Sequence, residues 1–216
     1  MRILNGTDQK ELFQFDPFEA AFAGGIFVAA RDVTSGPNFR GESRDAVGDL
    51  DGVPDLIVAA GFGGGPRVAG FNGKSLGNAD KQKLFGDFLA FEDTLRNGVF
   101  VAAGDLDGDG RSELIAGGGP GGGPRVSSFS ATSLLSGGAP QRVVDFFAGD
   151  SANRGGVRVA IKDLDGDRQA DLVTGAGINA GSRLTAFLGK ALSGGTSTES
   201  FGLDALPGFQ GGVFVG

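Results

Sequence analysis

The sequence predicts an all-β fold, a β-propeller of four-stranded blades, and three observations lead there. Short apolar segments recur in register along the whole chain. Each is rich in Val, Ile, Leu and Phe and bounded by Gly, Pro, Asp or Asn, which is how strands and their turns read. Glycine supplies 42 of the 216 residues, against a usual share of about 7%, and it concentrates between those segments. A unit of four strands repeating at this length is close to one propeller blade.

The elements follow in order. One anchor reads Arg67-Val68-Ala69-Gly70-Phe71, then Arg125-Val126-Ser127-Ser128-Phe129, then Arg183-Leu184-Thr185-Ala186-Phe187, at a spacing of 58 residues. Arg2-Ile3-Leu4-Asn5-Gly6 is a shortened copy. A second anchor is Gly25-Ile26-Phe27-Val28, repeated from Gly98, Gly156 and Gly212. A third begins at Asp55, Glu113 and Asp171, and a weaker fourth lies at Leu12–Phe15, Leu84–Phe88, Val143–Phe147 and around Phe201. Glycine–proline blocks at Gly63–Pro66 and Gly117–Pro124 separate the second and third strands, where glycine supplies positive φ and proline presets the turn. No stretch carries a long helical period.

Counted this way, the chain starts at a third strand, runs through three full units and ends within a first strand. The expectation is therefore three full blades and a split or truncated fourth, with the chain a fragment of a larger propeller. Residues 1–216 read as one domain, with repeats at about 2–66, 67–124, 125–182 and 183–216.

Composition excludes several function classes. There is no His and no Cys, so Ser-His-Asp and Cys-His triads, His- or thiolate-held zinc and iron–sulfur clusters are ruled out. The formal charge of −7 makes nucleic acid a poor partner. No apolar run is long enough for a membrane span, and no signal peptide is visible at the N-terminus.

The chemistry sits in acidic loops between first and second strands. Asp105, Asp107, Asp109, Gly110, Arg111 and Glu113 fit D-x-D-x-D-G-x-x-E. Alternating carboxylates in a tight turn converge on one small volume and repel one another unless a hard cation lies between them. All-oxygen ligation suits calcium. Arg111 is assigned a backbone carbonyl ligand. An EF-hand would need a bidentate Glu at position twelve between helices, and Ala116 stands there inside a strand. The next loop offers Asp163, Asp165, Asp167, Gln169 (by its carbonyl) and Asp171, with Arg168 replacing the turn glycine. The first loop is irregular. Asp49, Asp51 and Asp55 take later positions and Asp32 the first, with an insertion from about Thr34 to Gly48. The alternative for the Asp105 loop is an Asp/Gly hairpin without metal, and for the first loop a degenerate turn that has lost its metal.

The segments Val101-Ala102-Ala103-Gly104-Asp105-Leu106-Asp107-Gly108-Asp109-Gly110 and Glu113-Leu114-Ile115-Ala116-Gly117 resemble the FG-GAP repeat, also called VCBS or integrin α-type. The name-giving Phe-Gly and Gly-Ala-Pro pieces are not intact. The resemblance implies a calcium-bearing propeller with structural and adhesive roles, outside the cell or at its surface, but no specific ligand; a protein or a glycan at a propeller face is the partner left open.

The function expected is thus a non-catalytic calcium-stabilised module and not an enzyme. The alternatives are the propeller part of a secreted hydrolase or lyase, and a carbohydrate-binding propeller lacking Trp and Tyr platforms. Glu19, Glu92 and Asp150 read as solvated loop acids. Arg158, standing where Phe27, Phe100 and Phe214 stand, reads as a snorkelling edge residue, with a channel-lining or anion-binding role as the alternative. Arg67, Arg125 and Arg183 read as structural.

Overall fold

A computed structural model describes residues 1–31 and 53–216. The apolar anchors become strands because β-branched and aromatic residues alternate with small ones between turn-forming glycines. The strands are β1 (Arg2–Leu4), β2 (Glu11–Gln14), β3 (Ile26–Arg31), β4 (Asp55–Ala60), β5 (Arg67–Phe71), β6 (Lys83–Leu89), β7 (Val99–Gly104), β8 (Glu113–Gly118), β9 (Arg125–Phe129), β10 (Arg142–Phe147), β11 (Val157–Lys162), β12 (Asp171–Ala176), β13 (Arg183–Phe187) and β14 (Phe201–Asp204). Two short helices, α1 (Ala131–Leu135) and α2 (Gly189–Ser193), follow β9 and β13. They are single turns, too brief to leave a period in the sequence. Ser130 caps α1 by accepting from the Ser133 N–H.

Pairing is antiparallel between sequence neighbours throughout. It yields one sheet of β1 and β2 and three four-stranded sheets, β3 to β6, β7 to β10 and β11 to β14. The register is regular where it matters for the loops. Gly104 faces Glu113 at the end of β7 and β8, and Lys162 faces Asp171 at the end of β11 and β12.

The sheets stack in chain order, each interface burying its own apolar cluster. Phe15, Phe18, Val58, Ala69 and Phe71 fill the first interface. Ile57, Val68, Phe85, Val101, Leu114 and Phe129 fill the second. Phe100, Ile115, Val126, Val159, Leu172 and Phe187 fill the third. An aromatic pair recurs at each. The ring of Phe15 lies 5.2 Å from Phe71, Phe88 lies 5.0 Å from Phe129, and Phe146 lies 4.9 Å from Phe187. In the last two pairs a residue from the fourth strand of one sheet packs on a residue from the third strand of the next, and Phe15, directly after β2, takes the equivalent place in the first.

Glycine is required where sheets meet. Gly98 and Gly156 precede the first strands of their sheets at φ of 77° and 71°. A Cβ on Gly98 would lie 2.3 Å from the Ala60 carbonyl oxygen, and one on Gly156 2.4 Å from that of Gly118.

These sheets correct the expected fold class. The repeat predicts radiating propeller blades with a split fourth blade. Among the described residues the structure has four separate antiparallel sheets stacked consecutively. The repeat dictates each sheet and its contact with the next, but a ring also needs the two ends to complete a common sheet. Among the described residues that sheet is not formed: β1 and β2 pair only with each other, and Gly212–Gly216, expected as a strand, joins no sheet. Val213 donates its N–H to the Ala176 carbonyl, so the segment lies against β12.

Candidate metal centres

Both complete acidic loops leave a first strand and enter a second, so the sheet register brings the two ends of each loop together. In the β7–β8 loop, Asp105 accepts from the N–H groups of Gly108 (2.7 Å) and Gly110 (3.0 Å). Asp107 accepts from Asp109 N–H, and Asp109 from Arg111 N–H. Glu113, almost fully buried, accepts from Leu106 N–H at 3.0 Å. The β11–β12 loop copies this pattern with Asp163 to Gly166 and Arg168, Asp165 to Asp167, Asp167 to Gln169, and Asp171 to Leu164. These bonds fix the carboxylates in place. Gly108, Gly110 and Gly166 take positive φ, as does Arg168 at 74°, which is the strain expected of a non-glycine at that turn.

The geometry brings together three carboxylates per loop. Oxygens of Asp105, Asp107 and Glu113 lie within 4.8 Å of one another, as do those of Asp163, Asp165 and Asp171. Asp109 and Asp167 stand outside these clusters. The Arg111 guanidinium turns away and donates to the Thr132 hydroxyl. Asp32, Asp49 and Asp51 lie outside the described residues. Asp55 is buried and accepts from Gly73 N–H at 3.0 Å, the same bond that Asp171 makes with Gly189 N–H.

Electrostatics show how tightly the first cluster is drawn. Burial, and then the charge of Asp107, push the Glu113 carboxyl up to about 8. Burial also raises Asp105. Such groups are uncomfortable as free anions, and a cation among them removes the repulsion. The donor set is all oxygen and suits a hard cation. The two loops also touch. Ala170 donates its N–H to the Asp105 carbonyl at 2.7 Å, and the Gln169 side chain lies against Gly108. The Gln169 Oε1 is buried there without a hydrogen bond.

A second recurring feature escaped the sequence reading. Glu19 and Glu92 are exposed, as expected of solvated acids, and also pair with Arg67 (2.5 Å) and Arg125 (2.6 Å). Arg125 also binds Asp145 on β10 through two nitrogens, at 2.6 and 2.7 Å, and Arg67 reaches Asp87 on β6 at 3.3 Å. Each arginine therefore ties its own sheet to the loop arriving from the previous one. The signal was present as Phe18-Glu19 and Phe91-Glu92, since Arg67 also lies 4.3 Å over the Phe18 ring and Arg125 5.8 Å over Phe91. Arg183 pairs with Glu199 instead.

No protein-family profile matches the chain, and no curated protein does. Among solved structures, a crystal structure of the rhamnogalacturonan lyase YesW is similar at 17% identity and a TM-score of 0.45, over 85% of this chain. The chain spans about a third of that protein's length, 36%. The FG-GAP resemblance is corrected accordingly: no profile of that repeat matches, and the sheets stack without forming a ring. The integrin-like, adhesive and non-catalytic expectations rested on that resemblance and are withdrawn with it. Among the described residues, no helix is long and apolar enough to cross a membrane.

Proposed function

We propose that this chain is the calcium-holding part of a secreted carbohydrate-active enzyme of the hydrolase or lyase class. The observation that carries the metal half is the duplicated carboxylate cluster, Asp105 with Asp107 and Glu113, and Asp163 with Asp165 and Asp171. Calcium takes six to eight oxygens, more than the four that three carboxylates giving one oxygen each and a loop carbonyl from Arg111 or Gln169 supply. Asp107 and Asp165 are exposed, so the remaining positions face solvent and are open to water or to an acidic sugar. Weak sites of this kind fill at the millimolar calcium found outside cells.

Calorimetric titration with calcium and with magnesium tests the metal half. Two calcium sites are expected, with Asp105→Ala plus Asp107→Ala removing one. Absence of calcium heat from the wild-type chain overturns it. Turnover of acidic polysaccharides with and without EDTA tests the enzymatic half separately. Calcium binding without turnover of any such polymer by the full-length protein leaves the metal sites standing and removes the enzyme.

A further inference from the structure

Arg158 is not the snorkelling edge residue that its position predicts. It is buried, at 4% exposure, among residues that are otherwise apolar. It lies on β11 facing Gly175 of β12, at the position occupied by Phe27 and Phe100 in the two preceding sheets. The first strands draw these side chains together. The Phe27 ring lies 4.3 Å from Phe100, and Phe100 lies 5.9 Å from Phe214. The Arg158 guanidinium sits among them, its carbon 5.2 Å from the centre of the Phe100 ring and 4.8 Å from that of Phe214.

A guanidinium carries five N–H donors. One nitrogen, Nη1, donates to the Ala176 carbonyl at 3.2 Å, and Nε is buried with no partner. No carboxylate among the described residues pairs with it. The ring faces offer partial compensation, but a buried cation without a counter-charge is costly, and burial depresses its pKa. The other first strands place phenylalanine here, so packing alone does not call for a charge. Phe214, which covers one side of the guanidinium, is itself 74% exposed, so the site lies one side chain beneath the surface.

We propose that Arg158 anchors an oxyanion-binding site where the first strands converge, accepting a carboxylate, sulfate or phosphate group on its free Nε edge. A planar fork of donors matches two oxygens of such a group, which a lysine cannot do. The Phe100 and Phe214 rings then flank the anion's carrier, and Phe214 moves to admit it.

The test follows the Arg158 Nε–H resonance by NMR while sodium sulfate, sodium acetate or galacturonate is added, against sodium chloride at matched ionic strength. A saturable shift of that resonance with an oxyanion and not with chloride is expected. The salt that acts most strongly separates an inorganic anion from a sugar acid. Arg158→Phe, which restores the residue of the other sheets, is expected to fold and to lose the binding heat. Arg158→Lys is expected to bind at least tenfold more weakly. An Nε–H resonance unmoved by all three anions, or equal binding heat in Arg158→Phe or Arg158→Lys, overturns the proposal.

Discussion

Arg168 carries a backbone strain that its counterpart Gly110 does not. At φ of 74° an L-residue costs about 1–2 kcal/mol, part of which glycine returns as unfolded-chain entropy. Arg168→Gly is expected to stabilise the chain by up to about 1 kcal/mol, read by thermal melting. Glu113 is the other informative residue. Its folded carboxyl is raised to about 8 from 4.5, so the protonated form is favoured in the folded state. The associated stability is complete below about pH 4.5 and is lost as pH rises through 8. In EDTA, melting temperature is expected to fall over that window. Calcium, which competes with the proton, is expected to abolish the fall and to bind more tightly at pH 8.5 than at pH 6. Asp145 has the opposite sign. Its hydrogen bonds from Arg125 hold it below 3.8, so its contribution is present above that value and lost on further acidification.

Elements meet through two devices, the glycines before first strands and the aromatic pairs. Gly156→Ala would set a Cβ 2.4 Å from the Gly118 carbonyl at a positive φ. Strain and overpacking together are expected to cost roughly 2–4 kcal/mol, measured by denaturant unfolding. Gly216→Ala, where nothing lies within reach of a Cβ, serves as the silent control. The strands were legible in the sequence because Val157–Ile161 or Asp171–Gly175 recur with their flanking turns, and the clusters were legible because Asp105, Asp107 and Glu113 keep a fixed spacing across the turn. The pairing of Glu92 with Arg125 was not legible, since its partners stand 33 residues apart and their meeting depends on how one sheet lies on the next. The same limit applies to the ring. A local repeat encodes the neighbour contact, whereas closure depends on rotation accumulated over all sheets. Arg158 was noticed as an exception, but only its burial among Phe100 and Phe214 shows that the exception is a charge with no carboxylate partner among the described residues.

At the scale of the molecule, the two acidic loops sit at sheet ends and are bridged by the Ala170 N–H and the Asp105 carbonyl. On the proposed calcium reading, two sites giving about 1–2 kcal/mol each at millimolar calcium correspond to roughly 5–15 °C in melting temperature for a chain of this size. EDTA is expected to lower the melting temperature by that amount, and Asp105→Ala plus Asp107→Ala to remove about half of the response. The aromatic pairs Phe15–Phe71, Phe88–Phe129 and Phe146–Phe187 have a mechanical meaning as well. Each links one sheet to its neighbour, so once the Phe100–Phe214 contact gives way, tension applied at the two ends loads these interfaces in series. Pulled in an optical trap, the chain should lengthen in discrete rips of about one 58-residue unit, near 200 Å at full extension. Calcium should raise the rupture force of the units that hold the two acidic loops.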